Sequence, residues 1–374
     1  MKLCVLGAAG AMAEVVLRDL ETFLPEAEIT VADSREFDPK TANARFARVD
    51  VTDEAATAKL LEGHDAVLNC VTYYLNLPVM RAALAARVPY TDLGGLYHGS
   101  LKQFGLDRDF RAAGVPALLG MGSTPGITNA MAGRMASGLD RVDEVHVRVG
   151  CLDRAASAAP LPIPYALDTV LDEFALEPYV VEEGVAHPVA PQSGEEEIDF
   201  PEPVGRMTAI YTLHSEVAMF PRSFPGLRAA SFKVAFEPGF MEKVRFLVEL
   251  GFAESEARVG SVSPRQMLLA VAGAQDAPSG TPDDCDALRV DLVGTKGGAP
   301  VRRRAEAVIR PHPEWGFGAG ALDTGVPLAI AGAMLATGAV SEPGVLCPET
   351  ALPFDAFFAA LARRGIEVRF EERG

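Results

Sequence analysis

The first thirteen residues constrain the fold more than any other stretch. Lys2–Leu6 is a short apolar run that ends at Gly7, and Ala11–Leu20 then places Met12, Val15, Val16 and Leu20 at helical spacing. A strand that turns on glycine straight into a helix is the opening of a nucleotide-binding βα unit. The turn Gly7-Ala8-Ala9-Gly10-Ala11-Met12-Ala13 reads G-x-x-G-x-x-A. Gly7 permits the tight turn, and Gly10 lets backbone amides approach a pyrophosphate at the helix N-terminus. Ala13 is small enough for the helix to pack closely on the strand. Ala9, Ala11 and Met12 complete the segment expected to wrap the phosphates. A glycine turn alone is a weak signal, but this one falls at the first βα junction and an acidic residue follows at the right distance. Asp33 lies twenty positions after Ala13, at the end of the second strand. A carboxylate there can accept both ribose hydroxyls of an adenosine and repels a 2′-phosphate, so NAD is the expected cofactor. Arg35 stands close enough to leave NADP open.

The alternation continues for about 120 residues, with strands at Glu28–Ala32, Arg45–Val49, Asp65–Cys70, Pro89–Leu93 and Pro116–Met121. Helices fit at Asp53–Leu61, Val79–Arg87 and Ser100–Ala113. This implies an α/β fold, a Rossmann doubly wound parallel sheet. Ligands bind such sheets at the carboxyl ends of the strands. Asp50 and Val51 are therefore expected beside the adenine, and Cys70, Val71, Thr72 and Gly122 on the nicotinamide side.

The pattern then changes. Glu144–Val149 alternates strictly, with Val145, Val147 and Val149 on one face and Glu144, His146 and Arg148 on the other. That is the signature of a half-buried antiparallel strand. Ala229–Phe236, Leu288–Val293 and Arg302–Ile309 look similar, and helices fit at Asn129–Ser137, Tyr165–Phe174, Met241–Leu250 and Pro264–Ala272. A second, α+β domain on a mostly antiparallel sheet is expected. Glu182–Pro203 and Ala277–Asp284 read as exposed excursions. From Thr324 the chain is helical again, with a final strand at Ile366–Phe370, and this tail is expected to pack back on the first domain. The expected divisions are 1–122, 123–322 and 323–374.

Charge narrows the partners. Acidic residues outnumber basic ones 51 to 34, for a formal charge of −17. Nucleic acid is repelled at long range, and no Lys/Arg-rich stretch compensates. The sequence offers no secretory signal and no run of 18 uncharged apolar residues, so the cytoplasm is expected and a membrane partner is not. The five cysteines are widely spaced and odd in number, and no metal-ligand spacing occurs. Neither a disulfide framework nor a bound metal is expected.

With these residues placed, the chain resembles the saccharopine dehydrogenase-like family, which includes saccharopine reductases, lysine 6-dehydrogenases and carboxynorspermidine synthases. The resemblance is carried by Asp65-Ala-Val-Leu-Asn-Cys70, Tyr90-Thr-Asp-Leu-Gly-Gly95, Gly122-Ser-Thr-Pro-Gly-Ile-Thr-Asn129, Arg222-Ser-Phe-Pro-Gly-Leu227 and Thr324-Gly-Val-Pro327. The run Pro221–Leu250 is most similar to lysine 6-dehydrogenase, whereas His214-Ser-Glu-Val217 departs from that enzyme's Gly-containing stretch. The resemblance implies hydride transfer between a nicotinamide and a carbon bearing nitrogen. It also implies a small amino-acid substrate, and a homodimer or higher homo-oligomer.

Amine oxidation needs a free lone pair. A lysine ε-amine has a reference pKa of ~10.4, so its deprotonation at pH 7 costs roughly 4–5 kcal/mol, which a base or a desolvated pocket offsets. His98, a few residues beyond the fifth strand, is a candidate base or proton relay, and Tyr97 beside it a candidate substrate contact. Asp92 could orient substrate or water, although aspartates also serve turns. Asn129 could bond substrate, or cap its helix. From the second domain His214 is a candidate acid–base group, Glu216 could hold an ammonium, and Arg222 could clamp a carboxylate bidentately. Solvated surface charge is the plain alternative for each. Oxidative deamination of lysine at its ε-carbon is the leading expectation. Reductive condensation of the saccharopine or carboxynorspermidine kind is the alternative, and a non-catalytic dinucleotide-binding sensor is the second.

Overall fold

The computed structural model describes every residue except 37, 40–42, 155–160, 162, 164, 259, 275–280 and 374. The chain begins with β1 (Lys2–Leu6), β2 (Glu28–Asp33), β3 (Ala44–Arg48), β4 (Ala66–Asn69), β5 (Tyr90–Asp92) and β6 (Pro116–Leu118). The longer strands β7 (Arg141–Asp153), β8 (Tyr179–Glu182), β9 (Val185–Pro188), β10 (Glu196–Asp199) and β11 (Arg206–Tyr211) belong to the middle of the chain, together with β12 (Ala229–Ala235), β13 (Asp284–Lys296) and β14 (Ala299–Ile309). β15 (Gly344–Leu346) and β16 (Val368–Arg373) close it.

The first sheet has the order β15-β6-β5-β4-β1-β2-β3, with every pairing parallel. Its strands read as apolar runs because both faces are covered. Leu3 and Val5 point into one core with Val15, Val16 and Leu328, while Cys4 and Leu6 point into the other with Val79, Met80 and Ala83. The strand order reverses between β1 and β4, which opens a crevice at their carboxyl ends. The helix expected over Ser100–Ala113 is two helices, Leu96–Phe104 and Asp107–Ala113.

The second sheet is nine-stranded, with the path β10-β11-β12-β7-β13-β14-β16 and β8 and β9 joined beside β12. It is mostly antiparallel, as expected, with β7 pairing parallel to β12 and antiparallel to β13. β7 lies mid-sheet, and its polar face is partly enclosed. Arg148 is buried and bonds Glu196 and Ser231. Glu182–Pro203 is largely exposed, as expected, but it is not irregular. It supplies β9 and β10, and its Ile198 and Phe200 pack with Val204, Ala209 and Ala235. The abundance of Glu and Pro hid that apolar pair. Of the other expected excursion, 277–280 lie outside the described residues, and Asp284 opens β13.

The end of the chain divides. β15 joins the first sheet beside β6, whereas β16 pairs with β14 in the second. Ahead of both in sequence, the helix Ala319–Ala336 lies against the first helix and β4 on one side and β13 on the other. By length and apolarity it is a helix that would cross a membrane, and 72% of it is buried inside this fold, the position of a core helix. Two glycines allow the approach. A Cβ at Gly325 would fall 2.7 Å from Val15 Cβ, and one at Gly332 would fall 2.6 Å from Leu68 Cδ1.

Gly325→Leu is therefore expected to force these layers apart and destabilise the protein by about 2–3 kcal/mol. Urea unfolding followed by circular dichroism reads this as a lower midpoint, and a wild-type midpoint would refute the tight contact.

Candidate active site

The nucleotide cradle forms where β1 and β4 end. Gly7 takes φ +76°, and a Cβ there would lie 2.9 Å from the Cys70 carbonyl carbon and the Val71 nitrogen. Only glycine satisfies both demands. Gly10 N donates to Gly7 O at 3.0 Å, and the helix Ala11–Phe23 starts at Gly10 with no side-chain cap. Its first-turn amides are thus available to an anion. Ala9, Ala11 and Met12 lie along this turn. Asp33 Oδ2 accepts from Ala9 N at 3.0 Å and Oδ1 accepts from Arg35 N at 2.9 Å, so the carboxylate ties the end of β2 to the glycine turn. Burial works to raise its pKa, but these N–H donors and the Arg35 guanidinium hold it below the ordinary range. Asp50 is exposed after β3 and accepts from Thr52, while Val51 is buried beneath it. Burial pushes the Cys70 thiol up to about 12, and Thr72 is exposed at the rim. An open turn, bare amides and a ribose-side carboxylate together fit a dinucleotide.

The second domain meets this edge through consecutive residues of one loop. Pro125, in the turn after β6, packs on the Gly94 turn after β5, since a Cβ at Gly94 would sit 3.0 Å from Pro125 Cγ and 3.6 Å from Ser215 Oγ. Gly122 is buried in the same turn and donates to Pro125 O. Thr124 Oγ1 donates to Glu216 Oε1 in a short bond. His214 Nδ1 lies 2.8 Å from Glu216 Oε2, and its Nε2 lies 3.7 Å from Glu173 Oε1. The ring stacks on Phe232 with centroids 3.8 Å apart. Tyr165 donates its hydroxyl proton to Glu173. Burial alone would lower the His214 pKa, but Glu216 first and then Glu173 raise it above the ordinary range. Ser123, next to Thr124, donates to Asp323 Oδ2 at 2.7 Å. Burial, then the charge of Asp286, pushes Asp323 well up. Burial, then Asp284, pushes Asp286 up to about 7.

The structure brings His214 and Glu216 to this junction and places other expected site residues elsewhere. Asp92 is fully buried and accepts from Gly120 N, Gly94 N, Tyr90 Oη and Gln103 Nε2 at 2.5–3.0 Å. All its acceptor capacity is used in joining β5 to β6, so it is a structural carboxylate rather than a reacting one. Asn129 is also spoken for: its Nδ2 donates to Glu349 at 2.9 Å and its Oδ1 accepts from Gly126 N. Arg222 sits at the far end of the Glu216–Ser223 helix, 3.2 Å from Asp107 and stacked over Phe104, so the expected carboxylate clamp is engaged at the edge of the first sheet. His98 is exposed and makes edge contacts with Tyr97 and Tyr179. Tyr97 is buried and stacks flat on Tyr179 at 4.0 Å. Sequence reading missed Glu173, Tyr165 and Asp323. The available signal was a carboxylate beside the apolar residues Val170, Leu171 and Phe174, on the buried face of a helix.

Comparison with known proteins agrees with this geometry. Residues 3–118 match the family model for the saccharopine dehydrogenase NADP binding domain, and 122–366 match that for the saccharopine dehydrogenase C-terminal domain. The chain belongs to the saccharopine dehydrogenase family. As a member it is an NAD(P)-dependent oxidoreductase, which agrees with the cradle at Gly7. A curated relative, carboxyaminopropylagmatine dehydrogenase of Synechocystis sp., is 25% identical over 345 residues, covering 88% of this chain and 84% of that protein. Among solved structures, apo saccharopine dehydrogenase (L-Glu forming) of Saccharomyces cerevisiae superposes with a TM-score of 0.74, 17% identity and full coverage of both chains. That likeness confirms the fold.

Two outcomes separate structural from reacting groups. Asp92→Ala leaves four buried donors unpaired and is expected to cost about 3 kcal/mol of stability, while dinucleotide affinity of the folded protein is retained. Calorimetric titration and thermal unfolding check this together. Arg222→Ala is expected to leave substrate KM within about twofold of wild type, because the guanidinium is bonded outside this junction. A large KM rise would return it to the site.

Proposed function

We propose that this chain catalyses reversible, NAD(P)-linked condensation of an amino acid bearing an aldehyde with a cationic amine, the reaction type of carboxynorspermidine synthases. The carrying observation is the composition of the buried cluster that lies beside the Gly94 and Pro125 turns, at the carboxyl ends of β5 and β6. Glu173 and Glu216 are buried there, 4% and 0% exposed, with His214 between them. Buried carboxylates favour a positively charged partner. Arg222, expected to clamp the substrate carboxylate, is bonded elsewhere, and Arg265 is committed to Asp168 and Asp172, so a substrate joining two carboxylated amino acids is the less favoured partner. The likeness to carboxyaminopropylagmatine dehydrogenase, whose name joins a carboxylated arm to a cationic amine, supports the same substrate class. Deamination of lysine itself is the second reading, favoured by the Pro221–Leu250 run and by the engagement of Arg222 and Arg265 with aspartates of the chain.

When bound, the dinucleotide supplies the hydride donor or acceptor for the carbon next to nitrogen. The chain's own residues hold it and move protons. Gly7 and the bare amides after Gly10 receive the pyrophosphate, Asp33 and Asp50 flank the adenosine, and Cys70, Val71 and Thr72 border the other end. Asp33 favours NAD by charge, and Arg35, paired with Asp33 but 68% exposed, is a neighbouring cation that would offset that toward a 2′-phosphate. Imine formation requires a proton delivered to a leaving hydroxyl, and the reverse direction requires an amine proton removed. His214 does both at its ring nitrogen. Glu216 orients that ring through Nδ1, and Thr124, in the loop after β6, holds Glu216.

Because its carboxylate neighbours raise the His214 pKa, the imidazolium persists above the ordinary histidine range. Amine oxidation is thus expected to accelerate as pH rises through that raised value, and reductive condensation to slow over the same interval. His214→Asn should lower kcat by ~10²–10⁴-fold while leaving NADH and NADPH affinity intact. The assay follows nicotinamide absorbance in both directions with lysine, saccharopine, diamines and guanidino-amines, the last two paired with aldehyde-bearing amino acids. Turnover of lysine alone, with no amine–aldehyde pair active, would replace the condensing reading by deamination. Tighter NADPH than NADH binding by calorimetry would overturn the role given to Asp33.

A further inference from the structure

We propose that Glu173 is a positioning residue of the acid–base site: it brackets the His214 ring from the side opposite Glu216 and takes up the Nε2 proton, so that its own protonation decides whether His214 is an acid or a base. The catalytic part of this inference rests on the function proposed above, and the geometric part does not.

Four observations build the case. First, His214 has a carboxylate at each ring nitrogen, Glu216 at 2.8 Å from Nδ1 and Glu173 at 3.7 Å from Nε2. Second, the ring has no freedom to turn away. Phe232 stacks against it, and Leu213 N, one residue before it, donates to the backbone oxygen of Glu173 at 3.1 Å. Third, Glu173 is itself held by the Tyr165 hydroxyl on its second oxygen. Fourth, its helix Leu167–Ala175 is anchored on its neighbouring face, where Arg265 bonds Asp168 and Asp172 and Tyr73 donates to Asp172 at 2.7 Å. A buried carboxylate held this firmly at ion-pair distance from a histidine nitrogen is a charge partner of that ring rather than a solvated charge, and proton transfer between them requires closure to hydrogen-bond distance.

The electrostatics agree. Burial pushes Glu173 up to about 7, against the pull of His214 and Tyr165, and the charges of Glu216 and Asp172 add to the rise. Among the described residues, Cys151 on β7, Asp286 on β13 and Asp323 on the helix Ala319–Ala336 are further titratable groups on the Tyr165 side of this cluster. Arg265 is neutralised by its own pair of aspartates. The result is a couple in which one proton near neutrality is shared between a carboxylate and an imidazole.

The step is simple. In the oxidising direction the Nε2 proton passes to Glu173 Oε1, which leaves the Nε2 lone pair open. The ammonium proton of the substrate then passes to Nε2, and the electrons of that N–H bond remain on nitrogen as its lone pair. In the condensing direction both transfers reverse, and Nε2 delivers its proton to the departing hydroxyl, which leaves as water.

The test is a titration of the whole protein carrying ring-labelled histidine, with the His214 signal assigned by its loss in His214→Asn. The wild-type signal is expected to titrate in two steps, one of them reporting Glu173. In Glu173→Gln, which keeps the shape and the Tyr165 contact, it should titrate in one step at lower pH, since a neighbouring negative charge is gone. A His214 titration unchanged by Glu173→Gln overturns the proposal, whatever the substrate proves to be. With an active substrate in hand, the kcat/KM–pH profile of Glu173→Gln should lose one ionisation near neutrality. Its kcat should fall on the order of 10–100-fold with NADH affinity unchanged. Superimposable profiles would equally overturn it. Glu173→Asp, which keeps the charge, should restore the two-step titration, and its failure to do so in a folded protein would count against the carboxylate's role.

Discussion

The two halves of this molecule are held in register by the burial of one helix. Ala319–Ala336 lies between the parallel sheet and the mixed one, and the closeness of the fit is set by what it lacks at Gly325 and Gly332. Each missing Cβ lets apolar surface meet at a distance no larger residue allows. The helix N-terminus carries Asp323 and Thr324 to the junction, where Ser123 bonds the aspartate. The turn that contains Ser123 also holds Thr124, and Thr124 bonds Glu216. One buried helix therefore fixes the spacing between the nucleotide cradle and the buried cluster around Glu216.

That spacing gives the junction its chemical character. Carboxylates placed between two apolar cores lose hydration, and the charged form becomes costly unless a partner compensates. At Asp92 four donors fill both oxygens and tie the strand ends together, so the group is structural although burial still raises its pKa. Glu173 and Glu216 instead share one imidazole between two carboxylates. An acid spent on backbone and scaffold donors, against two acids paired through a titratable ring, is what separates scaffold from candidate reactive site here.

Much of this could be read from the sequence. The glycine turn at Gly7, the carboxylate at Asp33 and the alternation of strands and helices follow from local spacing, and local spacing is what a sequence displays. The motifs that mark the family also held. What stayed hidden was long-range. Glu173 looks like one acid among many on an amphipathic helix until β12 brings Phe232 and the loop before Glu216 brings His214. Arg222 looked like a clamp because nothing in its own segment reveals Asp107, which arrives from the first domain. β15 is three residues long, too short to show any period, and its place is decided by β6. Arg148 and Ile198 show the same lesson in the second sheet, where polar residues turned out to be enclosed and an acidic stretch turned out to contain core.

The position of β15 has a consequence for how the molecule is made. Six strands of the first sheet are complete once residue 118 has been synthesised, but the seventh comes from residues 344–346. A chain emerging from the ribosome thus carries β6 as a bare edge while more than 200 further residues are translated, on the order of 10–40 s at usual rates. An open edge of this kind is a template for pairing with another chain. β6 is only three residues long, the shortness with which natural sheets guard such edges. The nucleotide-binding half is therefore finished last at its edge, although it is begun first.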